Sequence, residues 1–85
     1  MVLLRTERFK KDFKRLPAEL QDRAERALRL LVSNRTHPPL CLKRMEGAPG
    51  IWEIRASDNY RITLQFVHEG ILLRRIGTHN VLRRP

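Results

Sequence analysis

Arg55, Arg61 and His79 are the three positions of this 85-residue chain best suited to act together on a phosphodiester. A guanidinium group forms two-pronged hydrogen bonds to phosphate oxygens, and a histidine takes up or releases a proton near neutral pH. The arginines lie in the string I-W-E-I-R-A-S-D-N-Y-R-I, from Ile51 to Ile62, where apolar and polar residues alternate. Alternation of this kind marks a half-buried strand, and each arginine falls on the side away from the apolar residues. The histidine lies in L-L-R-R-I-G-T-H-N-V-L, from Leu72 to Leu82, just past a glycine at the end of another apolar run. Neighbouring strands would bring the three side chains within reach of one another, an arrangement suited to a nucleic-acid backbone.

The elements that must position these groups follow from the rest of the pattern. Val2 to Arg5 is a short apolar strand, and Thr6 caps the helix behind it, whose stripe is Phe9, Phe13 and Leu16. Pro17 suits the first turn of a second helix, in which Leu20, Ala24, Ala27, Leu28 and Leu31 recur at three- and four-residue spacing. Three acid–base pairs at i, i+4 (Glu19 with Arg23, Asp22 with Arg26, Glu25 with Arg29) support that helix by roughly 0.2 to 0.5 kcal/mol each. After Asn34 and the Thr36-His37-Pro38-Pro39 stretch the pattern changes to strands: Leu40 to Met45, the pair around the Ser57-Asp58-Asn59 turn, and Ile71 to Ile76. The last has one arginine for either face, Arg74 or Arg75, which predicts a bulge or an edge. The expected fold is α+β: an N-terminal strand, a two-helix hairpin, then a twisted antiparallel sheet with the helices on one face and the polar face open.

Length and charge narrow the function. Residues 1–85 suffice for one domain with a modest core, so any activity must use a shallow surface site. Eighteen Lys and Arg against nine Asp and Glu give a formal charge of +9, an excess that draws a protein to polyanions such as nucleic acid or the ribosome. A basic protein that binds RNA without cleaving it satisfies the same charge. Lys10, Lys11, Lys14, Arg15, Arg83 and Arg84 read as further ribosome-facing charge. Cys41 is the only cysteine, so no disulfide framework or thiolate metal site is expected, and a reducing cytoplasm fits. His37 and His68 read as surface residues, and no metal or cofactor is predicted. The N-terminal run M-V-L-L-R-T-E-R is too short and too soon charged for a signal peptide or membrane span.

Trp52 and Tyr60 are aromatics that could stack on bases, though the alternation places Trp52 opposite Arg55 and toward the core. Arg55 has a competing role as the ion-pair partner of Glu53 or Asp58.

Several strings in order, F-K-K-D-F-K-R-L-P-A-E-L-Q, L-K-R-M-E-G, W-E-I-R, Y-R-I-T-L and R-I-G-T-H, span nearly the whole chain and resemble the RelE/ParE superfamily of bacterial toxin–antitoxin toxins. The ending Gly77-Thr78-His79 is similar to that of the YafQ-type branch. This resemblance implies a type II toxin that acts as a ribosome-dependent mRNA endonuclease, inhibits translation, and is held by a cognate antitoxin in a hetero-oligomer. It implies a catalytic role for His79, phosphate contacts from Arg61 and Arg55, and RNA contacts from Lys43, Arg44 and Tyr60. Leu82 stands where several relatives carry a site tyrosine, and the second acid–base group stays open among Glu53, Asp58 and a lysine. The ParE-type relatives share the fold and inhibit DNA gyrase, so that activity and a noncatalytic RNA-binding role are the alternatives.

Overall fold

The computed structural model describes residues 2–85. The elements run β1 (Val2–Arg5), α1 (Glu7–Lys14), α2 (Ala18–Ser33), a 3-10 turn (Pro38–Leu40), β2 (Lys43–Arg44), β3 (Trp52–Ser57), β4 (Tyr60–Val67), β5 (Gly70–Gly77) and a C-terminal 3-10 helix (His79–Arg83). Strand order across the sheet is β1-β5-β4-β3-β2. The last four strands are antiparallel, as the alternation predicts, and β1 adds to β5 as a parallel edge. Parallel pairing is available because the connection from β1 to β5 is long, running through α1, α2 and the three strands β2 to β4.

Both helices cover one sheet face, α1 against β5 and α2 against β3. Phe9, Ala24, Ala27, Leu28 and Leu31 from the helices meet Ile54, Ile62, Leu64, Ile71, Leu73 and Ile76 from the strands in one buried cluster. Thr6 caps α1 as expected: its Oγ1 accepts from the Phe9 amide at 3.0 Å and donates to the Arg74 carbonyl at 3.0 Å, tying the helix start to β5. The bulge foreseen in the last strand is present, because Thr63 pairs with Arg75 and Leu64 with Leu73, leaving Arg74 as the extra residue.

Five expectations are corrected. Pro17 is the residue before α2 rather than its first residue, with ψ at 153°, outside helical range. Of the three helix pairs only Glu19 with Arg23 meets, at 3.4 Å, while Glu25 turns to Arg5 at 3.1 Å on another element. The strand expected from Leu40 to Met45 shrinks to Lys43–Arg44. Two prolines without amide hydrogens favour a 3-10 turn that buries Leu40, and Cys41 leaves that turn at a left-handed φ of 51°. The strand expected at Ile71–Ile76 extends from Gly70 to Gly77.

The fifth correction bears on function. The polar sheet face is not wholly open, because the C-terminal 3-10 helix folds back over β4 and β5. Val81 is buried there, and the Pro85 carbonyl oxygen accepts from Thr63 Oγ1 at 3.2 Å and Arg74 Nε at 2.9 Å. The buried, apolar Val81 supplies the reason for that docking. Glu53 and Thr63, on the same face, are 7 % and 0 % exposed.

Candidate functional site

Cross-strand register aligns the arginines. Arg55 on β3 stands directly opposite Arg61 on β4, and Arg61 stands opposite Gly77 on β5, two residues before His79. Opposed residues in such pairs lie about 5 Å apart at Cα, so the three strands deliver two guanidinium groups and the start of the histidine segment to one end of the sheet. His79 opens the C-terminal 3-10 helix and is exposed. Like charges at Arg55 and Arg61 repel across the pair, a cost tolerated most readily where an anion binds between them.

Arg61 is fixed by the β3–β4 turn. Its Nη1 donates to the carbonyls of Ser57 at 2.9 Å, Asp58 at 3.2 Å and Tyr60 at 3.0 Å. Ser57 and Tyr60 close the hairpin as a cross-strand pair with Asp58 in the turn between them, so the arginine braces the turn whether or not a ligand is present. The same bonds hold the guanidinium in one orientation with Nε and Nη2 left for an anion, which is preorganisation of the kind that stabilises developing charge. Arg55 is exposed on the stretch of β3 beyond β2, which pairs only with Glu53 and Trp52. Among the described residues it forms no ion pair with Glu53 or Asp58.

The row beside Arg55 and Arg61 reads Lys43, Glu53, Thr63, Arg75 across β2 to β5. Glu53 therefore shares the sheet face of Arg55 two residues along the strand, with Lys43 as its cross-strand neighbour. Arg75 leaves this row: its guanidinium forms a two-bond pair with Asp12 of α1. Asp58 sits in the turn, exposed.

Other sequence candidates separate. Lys43 and Arg44 are adjacent in β2 and point to opposite faces, Lys43 beside Glu53 and Arg44 onto the ring of Trp52 at 5.2 Å. Tyr60 lines a hollow of about 330 Å³ with Pro17, Leu20 and Arg23, on the helix side and away from the Arg61 side chain. Lys10, Lys11 and Lys14 are exposed on α1, and Lys10 is paired with Glu7 at 3.0 Å. Arg83 is exposed at the end of the C-terminal 3-10 helix. Sequence reasoning missed Arg35, whose guanidinium lies 4.6 Å from the Phe66 ring; only its place after the helix-ending Asn34 marked it.

No protein-family model matches this sequence, and no curated protein is significantly similar to it. Solved structures are similar over nearly the full length. The RelB–RelE antitoxin–toxin complex from Methanococcus jannaschii matches with a TM-score of 0.74 and 24% identity over 95% of each chain. The chain adopts the RelE/ParE toxin fold. The YoeB/ParE toxin from Agrobacterium tumefaciens superposes on this RelE/ParE fold with a TM-score of 0.78 at 16% identity, covering 93% of this chain and 99% of that one. YafQ from E. coli strain BL21(DE3) does so with 0.77 at 16% identity, covering 95% and 96%. At such identities the RelE/ParE likeness concerns the backbone, and the chemistry rests on this chain's own residues.

Proposed function

We propose that residues 1–85 are a single-domain type II toxin that cuts mRNA on the ribosome in the cytoplasm and is neutralised by an antitoxin. The fold supports the toxin reading, since solved structures that share it include a RelB–RelE complex and a DinJ–YafQ complex, both antitoxin–toxin pairs by name. One observation carries the nuclease reading: the register that sets Arg55 opposite Arg61 and Arg61 opposite the Gly77 that leads into His79.

The reaction assigned to this end of the sheet needs no metal. The ribose 2′-hydroxyl attacks the neighbouring phosphorus while a base removes its proton. The bond from phosphorus to the 5′-oxygen breaks, and an acid protonates that oxygen, leaving a cyclic phosphate and a free 5′-hydroxyl. Arg61 and Arg55 hold the nonbridging oxygens as negative charge accumulates. His79 supplies one of the proton transfers, worth roughly 100- to 10,000-fold. Glu53 is the carboxylate nearest in register to Arg55 on the same face, which favours it over the turn residue Asp58 as the second group.

Translating ribosomes programmed with end-labelled mRNA test the reading. Cleavage that disappears with His79→Ala supports it. Inhibition of gyrase supercoiling without cleavage would establish the ParE-type activity instead, and neither activity would leave a noncatalytic binding protein.

A further inference from the structure

A second cationic surface lies at the far end of the sheet from the Arg61 turn, on the face the helices cover. There Arg35 rests on the Phe66 ring at 4.6 Å, Phe66 meets Trp52 edge to face at 5.5 Å, and Arg44 rests on Trp52 at 5.2 Å. The four side chains form a continuous ladder from the loop after α2, through β4 and β3, to β2. Both arginines are exposed, and among the described residues neither donates a hydrogen bond to a protein acceptor or pairs with an acid. The rings are half-buried, so they hold the guanidinium planes without being consumed by the core. Beside Arg35 and Phe66 a hollow of about 490 Å³ is floored by Val67 and Gly70 and edged by His68 and Glu69.

We propose that this Arg35–Phe66–Trp52–Arg44 ladder is a binding site for single-stranded RNA, separate from the reacting end. A guanidinium stacked on a ring keeps its outer face and its N–H edges free. A nucleotide uses both: the phosphate takes the edges, and the base stacks on the plane or enters a neighbouring hollow. An acidic peptide would satisfy the edges alone and leave the planes and the hollow beside Arg35 idle, so RNA fits more of what is present. The net charge of +9 adds long-range attraction of the same sign. This inference deepens the nuclease reading by giving the substrate strand a second hold, yet its binding test is independent of cleavage.

Trp52 is the only tryptophan, so its fluorescence reports the ladder alone. The full chain is titrated with a short 2′-O-methyl RNA, which lacks the attacking hydroxyl, across a range of salt concentrations. Quenching of Trp52 is expected. The Arg35→Ala/Arg44→Ala double variant should bind at least about tenfold more weakly, with a log–log salt slope shallower by about 1.4, two contacts at roughly 0.7 each. Arg35→Lys/Arg44→Lys should recover the slope but not the affinity, because an ammonium has no plane to stack. Absence of quenching, wild-type affinity in the alanine double variant, full recovery by lysine, or equally tight binding of polyglutamate would each overturn the proposal. Ladder binding without ribosomal cleavage would refute the nuclease reading and leave this one standing.

Discussion

Asp12 and Arg75, 63 residues apart, meet through two parallel bonds: Arg75 Nε to Asp12 Oδ2 at 3.0 Å and Nη2 to Oδ1 at 3.1 Å. Asp12 Oδ2 also accepts from the Ile76 amide at 3.2 Å. β1 pairs with β5 only as far as Leu73, so a strand edge is left open beyond it, and the carboxylate of α1 occupies that edge in place of a sixth strand. Asp12 is 8 % exposed, and removing it leaves both a guanidinium and an amide without an acceptor. Asp12→Ala should cost roughly 3 to 5 kcal/mol, read as a lower urea midpoint at constant slope. Asp12→Asn, which keeps one oxygen for the Ile76 amide, should cost clearly less.

His79 offers the cleanest separation of chemistry from stability. It is exposed and forms no side-chain hydrogen bond among the described residues, so His79→Ala should melt within a degree or two of the parent while ribosomal cleavage falls by roughly 100-fold or more. Parallel loss of both properties would mean that the residue supports the fold and not the reaction.

Arg61 is expected to lose both, because one guanidinium serves the turn and the phosphate. Arg61→Lys retains a charge near the anion but brings one compact ammonium to a site that now offers three turn carbonyls and a ligand. Cleavage should therefore drop by at least about tenfold, accompanied by a loss of about 1 kcal/mol in stability. A lysine variant with full cleavage rate would show that the forked geometry is not used.

What the sequence made legible was local. Ile54, Ile62 and Leu64 alternate in two strands, Ala24, Ala27, Leu28 and Leu31 recur along α2, and Thr6 precedes a helix; each signal is complete within a few residues and each element formed. The two arginines at one turn of a hairpin were visible for the same reason. Partners chosen across the fold were not. Nothing near Asp12 announces Arg75, the i, i+4 spacing of Glu25 and Arg29 hides the competing claim of Arg5, and the hydrogen bond that Thr63 makes is to Pro85 at the far terminus. The Arg35–Phe66 and Arg44–Trp52 stacks likewise join a loop and a two-residue strand to rings whose apolar periodicity marked only the core.

Gly70 begins β5 directly opposite Val2, with φ at 152°. A β-carbon built there would stand 2.1 Å from the Val2 carbonyl oxygen and 2.9 Å from its amide nitrogen, both backbone atoms that cannot swing aside. Gly70→Ala should detach β1 from the sheet, with a stability loss of at least about 2 kcal/mol. Hydrogen exchange would then rise at the amides bridging β1 and β5, while those between β3 and β4 stay protected.

Gly77 and Val81 give the test that links the C-terminal tail to His79. A β-carbon at Gly77 would lie 2.7 Å from Val81 Cγ1, so Gly77→Ala displaces Val81 from its seat in the 3-10 helix that His79 opens, at roughly 1 to 3 kcal/mol. Val81→Ala removes a buried isopropyl group for a similar loss. Combined, the smaller side chain at 81 removes the clash and the new methyl at 77 fills part of the space left, so the double variant should be more stable than the sum of the singles predicts by about 0.5 to 3 kcal/mol. If the tail's seat on β5 aims the imidazole toward Arg61, cleavage will follow the same cycle, lowest in Gly77→Ala and partly restored in the double variant. Cleavage rates that ignore the cycle while the stabilities obey it would show that His79 does its work independently of where Val81 docks.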